Sequence, residues 1–132
     1  CTVGTELIQS VIYIEKNFAP DWLILETTGL AYPGLIRDNL LAACHRECRI
    51  CTVVDAQRFQ RLLKPMERLL KGQISCADAV LVNKTDLVDE QTVQNCEMIV
   101  RQMNKRTDCI RTCAADDRQD AVWSAVLGGE VR

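Results

Sequence analysis

Residues 79–86 read Ala79-Val80-Leu81-Val82-Asn83-Lys84-Thr85-Asp86, four apolar residues running straight into four polar ones. A short continuous apolar run is the mark of a strand buried on both faces. The same pattern recurs on either side. Trp22-Leu23-Ile24-Leu25 runs into Glu26, Ile50 to Val54 into Asp55, and a weaker run spans Cys109 to Thr112. The strand ends at 26, 55, 83 and 112 are 29, 28 and 29 residues apart. That is the length of one βα unit, repeated three times. Apolar strands alternating with amphipathic helices predict an α/β fold, a mainly parallel sheet with flanking helices. Such sheets bind ligands at the carboxyl ends of their strands, where the polar residues at 26–29, 55 and 83–86 fall.

The helices lie between the strands. Thr5 to Phe18 carries Leu7, Ile8, Val11, Ile12 and Ile14 on one stripe. Pro33-Gly34 opens a second helix with Leu35, Ile36, Leu40 and Leu41 turned inward. Phe59 to Ile74 is a third, and Pro65 predicts a break within it because it has no amide proton. Asp89 predicts an N-cap for a helix from about Glu90 to Lys105, with Val93, Cys96, Val100 and Met103 inward. Asp116 or Asp117 is placed to cap a last helix holding Val122, Trp123 and Val126.

Composition narrows the function classes. The 132 residues suit one domain, and 48% apolar with 26% charged is ordinary globular usage. No apolar stretch approaches the ~20 residues that span a bilayer. A net charge of −2 argues against nucleic-acid or anionic-membrane partners. One histidine, His45, and three serines, Ser10, Ser75 and Ser124, leave little for a serine–histidine triad or a multi-histidine metal site. The eight cysteines are scattered, which favours cytosolic thiols, a cytoplasmic setting and buried small hydrophobes over a disulfide framework. The chain opens at Cys1 without a methionine, and is expected to be a piece of a longer protein; a lipid-anchored N-terminal cysteine is the other reading.

Two motifs carry chemistry. Asn83-Lys84-Thr85-Asp86 follows a buried strand and precedes a helix cap. Guanine presents a ring imide N–H beside an exocyclic amine, and a carboxylate with two acceptor oxygens matches that edge. Asp86 is the candidate reader, Asn83 a bond to the other edge, and the Lys84 stem a cover for the base face. Glu26-Thr27-Thr28-Gly29 is second. A strand-end carboxylate such as Glu26 suits Mg²⁺. A glycine at 29 lets a backbone amide approach a terminal phosphate. Thr27 or Thr28 is placed to position water or to pair with a neighbouring strand. Asp55 reads as the cap of the following helix, or as a group behind a magnesium ion.

Three blocks resemble the CobW-type GTPases, a metallochaperone family similar to the nickel-insertion GTPases. They are WLILETTGLAYPGLI (22–36), CTVVDAQRF (51–59) and QISCADAVLVNKTDL (73–87). The likeness is specific over those blocks and runs from about Cys1 to about Leu87. It implies a P-loop NTPase (Rossmann-like) domain, of which residues 1–132 would be a part. It also implies GTP or GDP, Mg²⁺, zinc or cobalt, and a metal-receiving client protein. Glu26 corresponds to the family's magnesium carboxylate and Gly29 to its switch glycine, the two catalytic candidates. Asn83, Lys84 and Asp86 correspond to its guanine motif. Cys1 corresponds to the last cysteine of its Cys-x-Cys-Cys metal motif.

The departures matter. The sequence has no G-x-x-x-x-G-K-[ST] loop, and Gly4-Thr5 is no substitute because no lysine follows. The family's usual C-terminal domain is likewise not expected within these residues. Phosphate cradling supplies much of nucleotide affinity and catalysis, so weak GTP binding and poor hydrolysis are expected. In the family a first strand separates those ending at Glu26 and Asp55. Without it, those strands are expected to pair directly, to associate between chains, or to leave the N-terminal segment loosely held. The rival readings are an inactive scaffold and a zinc-binding module. The latter would centre on Cys44, Cys48 and Cys51 with His45, although His45 also reads as an exposed helix end.

Overall fold

A computed structural model describes residues 2–113 and 120–127, which fall into two compact units, 1–48 and 49–132. The expected capping residues Asp116 and Asp117, and Cys1, lie outside the described residues.

The first unit holds α1 (Thr2–Phe18) and α2 (Pro33–Cys44), which pack together. Pro33 supplies the fixed φ that suits a helix start. The chain leaves α2 through His45 in the left-handed region, φ 54°, its amide donating to the Leu41 carbonyl at 3.1 Å. His45 is exposed, as a helix-end residue should be. Val11 and Leu40 are the buried residues among those described in this unit, and Arg46 pairs with Glu15 at 2.9 Å. Leu35 and Leu41 do not turn inward as expected but are exposed. A helix packed along one neighbour buries a narrow line, not the wide face the sequence offers.

The strand expected at Trp22–Leu25 does not form. Among the described residues the sheet has three strands, and this run is not one of them. Trp22 is 63% exposed and Ile24 75%. An apolar run becomes a buried strand only where neighbours complete its hydrogen bonds and layers cover both faces.

The second unit carries the sheet. β1 (Cys51–Asp55), β2 (Ala79–Asn83) and β3 (Asp108–Arg111) are parallel in the order β1-β2-β3. Between β1 and β2 lie α3 (Phe59–Leu63) and α4 (Glu67–Ser75), separated at Pro65 as predicted. Between β2 and β3 lies α5 (Glu90–Met103), and α6 (Asp120–Leu127) follows. The Asp89 carboxylate accepts from the Thr92 amide at 2.7 Å, the predicted N-cap. Val93, Cys96 and Val100 then point from one face of α5 into a core with Val80 and Val82 of the central strand, Val54, Phe59 and Ile74. Arg111 on β3 donates to both carboxylate oxygens of Glu97, at 2.8 and 2.9 Å, and to those of Glu90, at 2.9 and 3.0 Å. No disulfide joins the described cysteines.

Two polar side chains set the amino-terminal edge of the sheet. Asp78 accepts from the Ile50 amide at 2.8 Å, while the Ile50 carbonyl accepts from the Asp78 amide at 2.9 Å. Asn104, just past α5, donates to the carbonyls of Ile74 and Ala77, both at 2.9 Å, and to that of Ser75 at 3.4 Å. Its own carbonyl accepts from the Arg106 amide at 3.1 Å. This one side chain satisfies the carboxyl end of α4. Asn104→Ala should therefore cost about 1–3 kcal/mol in urea unfolding. Asn104→Asp, which sets acceptors against carbonyls, should cost at least as much.

Candidate functional site

The candidate site of the second unit stands where β1 and β2 end side by side. The register pairs Asp55 with Asn83, and the Ala56 amide donates to the Asn83 carbonyl at 3.0 Å. The two strand ends are thus tied just before the chain turns away.

Beyond Asn83 the backbone turns through Lys84 in the left-handed region, φ 63° and ψ 37°, into a 3₁₀ turn at Thr85–Leu87. A non-glycine residue there costs about 1–2 kcal/mol. The turn is anchored on β3's side: the Thr85 hydroxyl donates to the Thr112 carbonyl at 3.2 Å. Asp86 is left exposed at the tip. The Lys84 ammonium donates to the Asp55 carboxylate at 2.8 Å. The other Asp55 oxygen accepts from the amides of Gln57 and Arg58, at 3.0 and 3.2 Å. Asp55 therefore does cap the turn into α3, and it also reaches across to the next strand. Partial burial opposes its charge, but the hydrogen bond and charge of Lys84 and the two amides outweigh that, so its carboxyl titrates below the ordinary carboxylate value.

The pairing of Asp55 with Lys84 went unread in the sequence. It follows from the parallel register of β1 and β2, which sets a strand-end carboxylate beside the residue after the next strand's end.

Glu26, Thr27, Thr28 and Gly29 lie in the first unit and are all exposed. A turn runs through them, the Ala31 amide donating to the Thr28 carbonyl at 3.0 Å. A Cβ built at Gly29 meets nothing within 4 Å, so the chain itself places no steric demand for glycine there. Glu26 and the two threonines are hard oxygen donors open to solvent, a set that suits Mg²⁺ sharing its shell with water and phosphate. Among the described residues no group of three or more His, Cys, Asp or Glu side chains is placed to hold a metal ion. The sequence cluster Cys44-His45-Cys48-Cys51 makes no such group. Burial raises the thiol pKa of Cys48 and Cys51.

Residues 1–111 match the family described as CobW/HypB/UreG, nucleotide-binding domain. The chain belongs to that family. It is 30% identical over 118 residues to the zinc-regulated GTPase metalloprotein activator 1 of Schizosaccharomyces pombe, an alignment covering 83% of this chain and 27% of that protein. It is also 30% identical over 115 residues to the zinc chaperone CobW of a Sinorhizobium species, covering 67% of this chain and 32% of that protein. The chain thus spans about a third or less of the length of these relatives. No solved structure matches it. Among the described residues no helix is long and apolar enough to cross a membrane.

Two measurements check this geometry. Lys84→Gly relieves a left-handed residue while removing an ion pair that, at 42% and 26% exposure of its two side chains, contributes less than about 1 kcal/mol. Its thermal midpoint should equal or exceed that of the parent. Second, the Asp55 carboxyl, followed by NMR, should titrate below about 3.9 and return towards that value in Lys84→Met. Because the folded value is depressed, the small stability from the pair is complete above the ordinary carboxylate pKa. It is lost as pH falls through the folded value.

Proposed function

We propose that this chain carries the base-recognising part of a guanine-nucleotide-dependent metal-delivery protein. The observation that carries the reading is the turn after β2. It holds Lys84 in a left-handed conformation and leaves Asp86 exposed, beside two tied strand ends. An exposed carboxylate on a short, anchored turn meets both donors of the guanine edge without reorganising. The Lys84 stem would lie along the base face, and Asn83 would bond the opposite edge and brace the loop. Adenine offers an acceptor where guanine offers the imide N–H, and Asp86 would repel it.

At the phosphate end, Glu26 would hold Mg²⁺ directly or through water, with Thr27 or Thr28 positioning water and the Gly29 amide meeting the terminal phosphate. Mg²⁺ there neutralises phosphate charge. The exposure of Glu26, Thr27 and Thr28 supports this. The sequence has no phosphate-binding loop of the G-x-x-x-x-G-K-[ST] kind. Phosphate cradling by such a loop supplies much of nucleotide affinity, so these residues alone should bind weakly.

The delivered metal is a cargo in this reading. Zinc is favoured because both relatives are named for zinc; cobalt is the alternative, and a client protein would receive it. Cys1 is the residue of this chain proposed to touch the metal. Cytoplasmic thiol-rich surroundings suit such a protein.

Asp86 provides the test. By calorimetry with Mg²⁺ present, the chain should bind GDP in preference to ADP. Asp86→Asn should lose about 10- to 100-fold for GDP, the worth of one or two charge-assisted hydrogen bonds. It should gain relative affinity for xanthosine diphosphate, whose carbonyl accepts from the new amide. Unchanged GDP against ADP or xanthosine selectivity would remove Asp86 from the base site.

A further inference from the structure

We propose that Asp55 is a positioning residue for guanine recognition, holding the Lys84 side chain by its ammonium so that the stem is ordered before the base arrives. This deepens the base-site reading above and rests on it. Three observations carry the inference. The Asp55 carboxylate is itself oriented, because one oxygen is taken by the Gln57 and Arg58 amides at 3.0 and 3.2 Å. The other oxygen faces Lys84 at 2.8 Å, while the Arg58 guanidinium stands further off at 3.9 Å. The strand ends that carry the pair are locked in register by the Ala56 amide on the Asn83 carbonyl.

The energetics separate this role from a structural one. Both side chains are partly exposed, and ion pairs of that kind add little to folding. A lysine stem has four rotatable bonds, and fixing it on a flat base costs entropy at the moment of binding. An anchored ammonium has met that cost already, so the pair's benefit appears in affinity. The left-handed backbone at Lys84 adds to this, since it aims the stem from a turn that is itself tied down by Thr85 on the Thr112 carbonyl.

The test is a double-mutant cycle on the full 132-residue chain, read as GDP affinity with Mg²⁺ and as thermal midpoint. Asp55→Asn keeps an acceptor for the Gln57 and Arg58 amides but removes the charge that holds Lys84. It should weaken GDP about 2- to 5-fold with the midpoint nearly unchanged. Lys84→Met keeps an apolar stem without its anchor and should lose a similar factor. The double variant should lose no more than either single one. Asp55→Asn with parental GDP affinity, or an equal loss in the Lys84→Met background, would overturn the positioning role and leave the base-site reading intact. A parent chain that does not prefer GDP to ADP would overturn the base-site reading, and the role of Asp55 with it.

Discussion

The in-register parallel pairing of β1 with β2 is the constraint on which the rest of the 49–132 unit depends. It sets Asp55 opposite Asn83, so both strands end at one level of the sheet. Their carboxyl ends then face the same way, and the polar residues that follow them gather without needing to be near in sequence. The pairing is held at its start by the reciprocal bonds of Asp78 and Ile50, and at its finish by the Ala56 amide on the Asn83 carbonyl. A slip by one residue would move Val80 and Val82 off their faces of the core and separate Asp55 from Lys84.

The residues that hold this unit together and those that follow its central strand are different sets. Stability comes from the aliphatic side chains of β1, β2 and α5, together with Asn104. The residues after β2 do little for the fold. Lys84 sits in an unfavourable backbone region, and Asp86 projects without burial. Local cost of this kind is tolerated where the surrounding structure over-determines it, and it gathers at sites that meet a ligand.

Much of this was legible in advance. The three parallel strands of the sheet, the break at Pro65 and the Asp89 cap each follow from short-range rules: apolar runs, a missing amide proton, a carboxylate three residues before an orphan N–H. The candidate tetrad 83–86 was legible for the same reason, since its place after a buried run marks a strand end. The run Trp22–Leu25 was read by the same rule and failed. Its hydrophobicity states what the segment can bury, not whether neighbours are present to bury it. The α2 leucines failed likewise, for Leu35 and Leu41 have the right spacing and no cover.

By itself, then, the sequence determined the alternation of strand and helix in residues 49–127, the helix boundaries set by proline and aspartate, and the chemical type of the residues at each strand end. These depend on interactions within a few residues of each other. Only the tertiary structure decided that Asp55 grips Lys84, that Thr85 is tied to Thr112, that Asn104 closes α4, and that the 22–25 run forms no strand. Each of these joins, or fails to join, groups distant in the chain. Their contact depends on register and on which partners lie alongside, and periodicity along the chain carries no record of that.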